Sequence, residues 1–157
     1  MQSWITGEPE QHKTDVSPLF AGSKNSSIVW MYGPPGSGKT AISQSMAEWC
    51  ERKGRLGASF FCARQGGRND VLRIIPTVAY QLSASNPAFA NEVVKALSPP
   101  SDIDRAPPLK QLEKLIVEPL RVMKSAPPLS QVVIIDALDE CNDKEAVSVI
   151  QIGRAHV

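Results

Sequence analysis

The sequence predicts an α/β fold with a parallel β-sheet, and two stretches of the chain carry that prediction. The apolar run 28–32 (IVWMY) leads into the glycine-rich stretch 33–40 (GPPGSGKT), which is followed by apolar residues at helical spacing. Further along the chain, the β-branched run 132–135 ends in Asp136. Near-continuous apolar strands that alternate with helices are typical of a parallel sheet covered on both faces.

The first half of the chain continues this pattern. A helix is predicted over residues 38–53, with Gly54 as its C-cap, and a second strand over residues 57–62 (GASFFC). After a polar loop the apolar spacing predicts another helix, with Asp70 as its N-cap. Pro76 lies inside that helix and should either kink it or mark its first turn.

The second half is predicted to hold two more helices before the strand that ends in Asp136. Pro87 begins one of them, with Asn86 as its cap. The proline-rich residues 98–108 are expected to be irregular. The next helix is expected to start at residue 109 and to end before Pro119, because the residue before a proline disfavours helical backbone.

The stretch GPPGSGKT has the residues that a phosphate-binding loop needs. Its glycines permit positive φ and a close approach of the backbone to a ligand. The backbone N–H groups and the positive end of the following helix can cradle phosphate oxygens. Lys39 can contact the terminal phosphates, and the Thr40 hydroxyl can bind Mg²⁺. The alternative is a glycine-rich hairpin with an unrelated lysine. The predicted nucleotide-binding residues are Gly33, Pro34, Pro35, Gly36, Ser37, Gly38, Lys39, Thr40 and Ala41.

Acidic residues follow the last predicted strand. Asp136 stands at its carboxyl end, where ligands bind in open α/β sheets, and is predicted to hold Mg²⁺ directly or through water. Asp139 or Glu140 can orient or deprotonate an attacking water, so both are candidate catalytic residues together with Lys39. Alternatively, Asp139 and Glu140 cap a helix over residues 144–150.

Composition narrows the class of protein. The 157 residues carry a net charge of +1, which favours neither nucleic acid nor an anionic membrane as a partner. Three cysteines without CxxC spacing argue against a zinc or disulfide framework, and the cytoplasm is the expected compartment.

Arg64 and Arg68 could reach a γ-phosphate, although solvated loop charges are the favoured interpretation. Residues 16–20 could pack on a nucleotide base or belong to a simple leader.

Four strings resemble, in this order, the NACHT domain of STAND-class signalling NTPases in its fungal NLR-like form: WMYGPPGSGKTAI, ASFFCAR, IIPTVAYQL and VVIIDALDEC. The resemblance implies a three-layer α/β/α P-loop NTPase with strand order 5-1-4-3-2, truncated here after the third strand. It also implies Walker A and Walker B motifs and a switch in which ATP or GTP, with Mg²⁺, drives self-association that slow hydrolysis resets. By residue match, the phosphate and magnesium ligands would be Gly33, Gly36, Gly38, Lys39, Thr40 and Asp136, with Asp139 and Glu140 as the acidic pair.

The predicted organisation is a leader over residues 1–27, part of the NTPase domain over residues 28–151, and a tail over residues 152–157. The tail sequence IGRAHV looks like sequencing-adapter read-through, and we hypothesise a truncated assembly product. Without the fourth strand, which would lie beside the strand ending in Asp136, apolar strand edges would be unpaired. The fragment is therefore expected to be poorly soluble and impaired in hydrolysis.

Three functions remain open at this stage. The first is a regulated nucleotide switch within a larger signalling protein. The second is a nucleotide-binding scaffold that does not hydrolyse its ligand, for which Lys39, Thr40 and Asp136 would suffice. The third is a small phosphotransferase, against which the acidic DALDEC string argues because an acidic pair suits water activation.

Overall fold

A computed structural model describes residues 29, 31–64, 66, 68–98, 102–123 and 131–142. The chain divides into two units, Met1–Tyr32 and Gly33–Val157. In the first unit Val29, Met31 and Tyr32 are described and none has strand or helix geometry, so the strand expected over residues 28–32 is not formed at these positions. The other predictions for residues 1–28, and those for residues 143–157, lie outside the described residues.

The second unit contains a two-stranded parallel sheet. Strand β1 (Leu56–Phe61) pairs with strand β2 (Val132–Asp136), and the register sets Phe61 opposite Asp136. These are the second and third predicted strands, and the strand order 5-1-4-3-2 also makes them neighbours. The structure therefore confirms an α/β arrangement with a parallel sheet.

The helix that follows the glycine-rich stretch, α1, spans Lys39–Arg52 and ends where the sequence predicts. The N–H of Arg55 donates to the carbonyl of Cys50, and the N–H of Gly54 donates to the carbonyl of Glu51. Gly54 has a φ of 63°, the left-handed conformation that terminates helices in this way. This cap fixes the connection between α1 and β1.

Two local caps define the next helices. The Asp70 side chain accepts from the N–H of Leu72 and opens a 3₁₀ turn, after which α2 spans Ile74–Ser85 with Pro76 in its first turn. Helix α3 spans Pro87–Ala96, and the side chain of its cap, Asn86, accepts from the N–H of Phe89. Both capping predictions are confirmed.

Two expectations for the following segment are wrong. Residues 102–105 within the proline-rich connection form a 3₁₀ turn, and Pro119 does not end the helix. Helix α4 (Pro108–Leu112) continues through a π-helical segment (Glu113–Val117) into α5 (Glu118–Val122). In an α-helix the ring of Pro119 would collide with the carbonyl four residues earlier. The wider π turn, in which the N–H of Glu118 donates to the carbonyl of Glu113, accommodates the proline.

The main core lies between β1 and the helices α2 to α5. Its largest fully buried members include Phe89, which α3 contributes to the cluster. The members of this cluster are Ala58, Ile75, Val78, Ala79, Leu82, Phe89, Val93, Ile103, Ala106, Leu115 and Ile116.

Among the described helices none is long and apolar enough to cross a bilayer.

Candidate functional site

The glycine-rich stretch forms an exposed turn directly before α1. Gly36 and Gly38 have φ values of 78° and 84°, and the N–H of Ser37 donates to the carbonyl of Pro34 at 3.3 Å. A Cβ added at Gly36 or Gly38 would meet no atom within 4 Å, so glycine is needed there for its backbone conformation and not for space. Gly36 and Gly38 therefore adopt the positive φ that the sequence predicts and have open space around them, whereas Gly33 does not adopt it and lies beside Ser37.

Lys39 folds back over this turn. Its Nζ donates to the carbonyl oxygen of Gly33 at 2.8 Å and to that of Pro34 at 3.0 Å. The remaining predicted nucleotide-binding residues, from Pro34 to Gly38 together with Thr40 and Ala41, are exposed. The ammonium group thus lies over the loop, and the loop carbonyls satisfy two of its three donors.

Neither a capping side chain nor an acidic residue offsets the partial positive charge at the N-terminus of α1. Its cap, Gly38, offers no side-chain hydrogen bond, and the first turn contains no acidic residue. The first N–H groups of a helix lack intrahelical partners and carry a partial positive charge. This end of α1 is therefore electrostatically suited to an anion.

Asp136 ends β2 and is buried against α1. Its Oδ1 accepts a hydrogen bond from the Ser43 hydroxyl at 3.2 Å. Ser43 lies three residues after Thr40 on α1, and residues at this spacing share a helix face. The structure thus places the Asp136 carboxylate against α1, where its hydrogen bond is to Ser43. Sequence reasoning missed Ser43, although its spacing from Thr40 was an available signal.

Asp139 and Glu140 occupy a 3₁₀ turn (Leu138–Glu140) that follows Ala137, a non-glycine residue with a φ of 56°. The Glu140 carboxylate accepts from the backbone N–H of Arg64 at 3.2 Å, whereas Asp139 is exposed. The two acids therefore have different surroundings, and only Glu140 is tied to the loop after β1.

The two arginines of that loop are exposed. The guanidinium groups of Arg64 and Arg68 form no ion pair within the part of the chain that the structure describes. This environment agrees with the interpretation of both as solvated loop charges. Arg64 contacts the acidic turn through its backbone N–H, which donates to the Glu140 carboxylate.

Two cysteines meet beside the acidic turn. The Sγ atoms of Cys62 and Cys141 are 3.3 Å apart, and both side chains are buried. Burial and then the hydrogen bond with Cys141 raise the pKa of Cys62 to about 12. Burial also raises the pKa of Cys141, and the hydrogen bond with Cys62 partly opposes that rise. The sequence prediction did not pair these residues.

The residues present fit Mg²⁺ only in company with a phosphate ligand. Among the described residues no group of three or more His, Cys, Asp and Glu side chains could hold a metal ion alone. Magnesium in phosphate sites commonly uses one or two protein oxygens, with phosphate oxygens and water completing the shell. The buried Asp136 carboxylate and the Thr40 hydroxyl are donors of that type.

Comparison with known proteins gives one family. A family model described as "Nephrocystin 3, N-terminal" matches residues 3–155, nearly the whole chain. No curated protein and no solved structure matches this chain. The family match does not itself establish the NACHT assignment that the motifs suggest.

Proposed function

The chain belongs to the nephrocystin 3 N-terminal family, and we propose that it is a nucleotide-binding switch module of NACHT type within a larger NLR-like signalling protein. Its ligand would be ATP or GTP together with Mg²⁺. The observation that carries the proposal is the geometry of the glycine-rich turn, in which Gly36 and Gly38 adopt positive φ and α1 begins at Lys39.

Three features of this turn favour a phosphate ligand. The uncapped N-terminus of α1 presents free N–H groups without a competing carboxylate. Lys39 is already positioned over the loop, and its ammonium can exchange two carbonyl partners for phosphate oxygens. The open space around Gly36 and Gly38 leaves room for a ligand close to the backbone.

The roles of the residues follow from these positions. The loop N–H groups and Lys39 would bind the phosphates, while Thr40 and Asp136 would hold Mg²⁺. The metal ion would neutralise charge on the phosphate oxygens. Asp139 or Glu140 would orient the attacking water, since each carries a carboxylate near the end of β2.

Calorimetry with Mg²⁺ and a non-hydrolysable ATP analogue tests the proposal, and a GTP analogue in a second titration tests base preference. We expect binding by the natural chain and its loss, by at least about tenfold in Kd, in Lys39→Ala, because charge-assisted phosphate contacts are strong. Lys53→Ala is the matched control, since Lys53 is an exposed lysine at the opposite end of α1. Equal binding by both variants, or no binding by a chain with a cooperative melt, would refute the proposal for this chain.

A second candidate function is a nucleotide-binding scaffold that does not hydrolyse its ligand. The hydrogen bond between Glu140 and the N–H of Arg64 favours it, because this contact engages one of the two candidate water-activating groups. Release of inorganic phosphate distinguishes the two functions. A switch predicts slow release that falls in Asp139→Asn or Glu140→Gln with binding retained, whereas a scaffold predicts no release above the Lys39→Ala background. Transfer of phosphate to an added acceptor would instead indicate a phosphotransferase.

Self-association and a cytoplasmic location belong to the same proposal. Helix α1 exposes the apolar side chains of Ile42, Met46 and Trp49, and exposed apolar patches commonly serve as contact surfaces. The cysteines are odd in number and lack CxxC spacing, which favours a reducing compartment. Light scattering with and without the nucleotide analogue measures whether the ligand drives association.

A further inference from the structure

The Cys62–Cys141 pair lies where the two strands end. The two Sγ atoms are 3.3 Å apart although the residues are 79 positions apart in the chain. Each side chain is only 6% exposed. The third cysteine, Cys50, is buried within α1 and provides an internal comparison.

The strands and the turn after β2 fix the positions of both cysteines. The N–H of Cys62 donates to the carbonyl of Asp136 at 3.0 Å, which continues the parallel ladder beyond β1. On the other chain segment, the left-handed conformation of Ala137 begins a turn, and the N–H of Cys141 donates to the carbonyl of Leu138. The sulfurs therefore meet because of the strand pairing.

Further hydrogen bonds connect the two loops around the pair. The N–H of Arg64 donates to the Glu140 carboxylate at 3.2 Å, and the N–H of Asn142 donates to the carbonyl of Asn69 at 2.9 Å. Glu140 directly precedes Cys141 in the chain, and Asn142 directly follows it. The loop after β1 and the acidic turn after β2 are thus held together independently of the thiols.

We propose that Cys62 and Cys141 form a reversible disulfide, a covalent modification site that joins the loop after β1 to the acidic turn after β2. The sulfur–sulfur bond length is about 2.05 Å, so the two atoms need to approach by only about 1.2 Å from their present separation. Cys141 directly follows Glu140, so the bond would restrain the acidic turn. The proposal does not depend on nucleotide binding.

The oxidant would be a small-molecule disulfide such as oxidised glutathione. Burial raises the pKa of both thiols, so only a small fraction of either cysteine is thiolate at neutral pH and the first step is slow. In that step the thiolate of one cysteine attacks a sulfur of the oxidant, which gives a mixed disulfide and releases one glutathione. The thiolate of the other cysteine then attacks the protein sulfur of that mixed disulfide, and the second glutathione leaves. Two electrons from the protein thiols reduce the oxidant, and the two thiol protons end on the two released glutathione molecules.

Peptide mapping of the oxidised native chain tests the proposal. The chain is treated with oxidised glutathione, its remaining thiols are alkylated, and it is digested with trypsin. The cysteines fall in three separate peptides, residues 40–52, 56–64 and 125–144. We expect the link between residues 56–64 and 125–144 to exceed any link to residues 40–52 by at least about tenfold, because only the former pair is pre-positioned. Dithiothreitol should remove the link.

Two controls keep the test independent of folding defects. Cys50→Ala should form the link as the natural chain does, and Cys141→Ala should not form it. In case Cys141→Ala fails to fold, the natural chain oxidised in urea serves instead, and its selectivity should disappear. Equal linkage to the peptide of Cys50 in the native chain, or mixed glutathione adducts without the link, would overturn the proposal. Because the reaction needs no nucleotide, either result leaves the Lys39→Ala experiment unaffected.

Discussion

The hydrogen bond between Ser43 and Asp136 gives a quantitative prediction about the candidate site. Both side chains are buried, at 7% and 8% exposure, and the two oxygens are 3.2 Å apart. Ser43→Ala removes the donor with almost no change in volume and leaves the Asp136 oxygen without its partner. A hydrogen bond to a charged group contributes about 1.5–3 kcal/mol. For a chain of this size that loss corresponds to roughly 3–12 °C in Tm.

Ser45→Ala supplies the matched control because Ser45 is exposed on the same helix. Both substitutions gain the higher helix propensity of alanine, about 0.5 kcal/mol, so their difference isolates the buried hydrogen bond. Urea denaturation followed by circular dichroism measures both unfolding free energies. Equal unfolding free energies for the two variants would refute the inference that α1 holds Asp136 in place.

Two further predictions concern stability. Gly57→Ala should lower the unfolding free energy by about 1–3 kcal/mol, because an added Cβ would lie 2.8 Å from Leu82 Cδ2 and 2.9 Å from Gln131 Cβ; an unchanged urea midpoint would contradict this contact. A disulfide between Cys62 and Cys141, 79 residues apart, should stabilise the chain by about 4.5 kcal/mol on the chain-entropy estimate. Thermal melts with and without dithiothreitol measure that gain, which should be absent in the variant that lacks Cys141.

The parts of the fold that the sequence predicts are those set by near neighbours. The caps at Asp70 and Asn86 and the terminating Gly54 depend on residues within one helical turn, and all three are confirmed. Pro119 is different, because a proline-tolerant π turn forms within a segment whose side chains Leu115 and Ile116 are held in the core. Local preference alone predicted a helix end there.

The candidate site also contains features set by near neighbours, which the sequence predicts, and features set by contacts between distant residues, which it does not. Positive φ at Gly36 and Gly38 follows from the glycine-rich motif itself. The bond from Ser43 to Asp136 joins residues 93 positions apart, and its partners become visible only when α1 packs against β2. Periodicity reports which face of an element is apolar, and it carries no information about which polar groups meet across elements.

In this structure two of the groups proposed to bind phosphate and Mg²⁺, the Lys39 ammonium and the Asp136 carboxylate, have hydrogen-bond partners within the protein. Lys39 donates to two loop carbonyls, and Oδ1 of Asp136 accepts from Ser43. A magnesium nucleotide that binds through the Lys39 ammonium and Oδ1 of Asp136 would replace these contacts. The free energy needed to break those contacts then makes the net binding of the nucleotide weaker. Ser43→Ala should therefore tighten binding of the magnesium nucleotide while it lowers the unfolding free energy. Ser45→Ala should leave the affinity unchanged. Weaker binding in Ser43→Ala would instead mean that Ser43 supports Asp136 in the bound state, which calorimetry on the two variants decides.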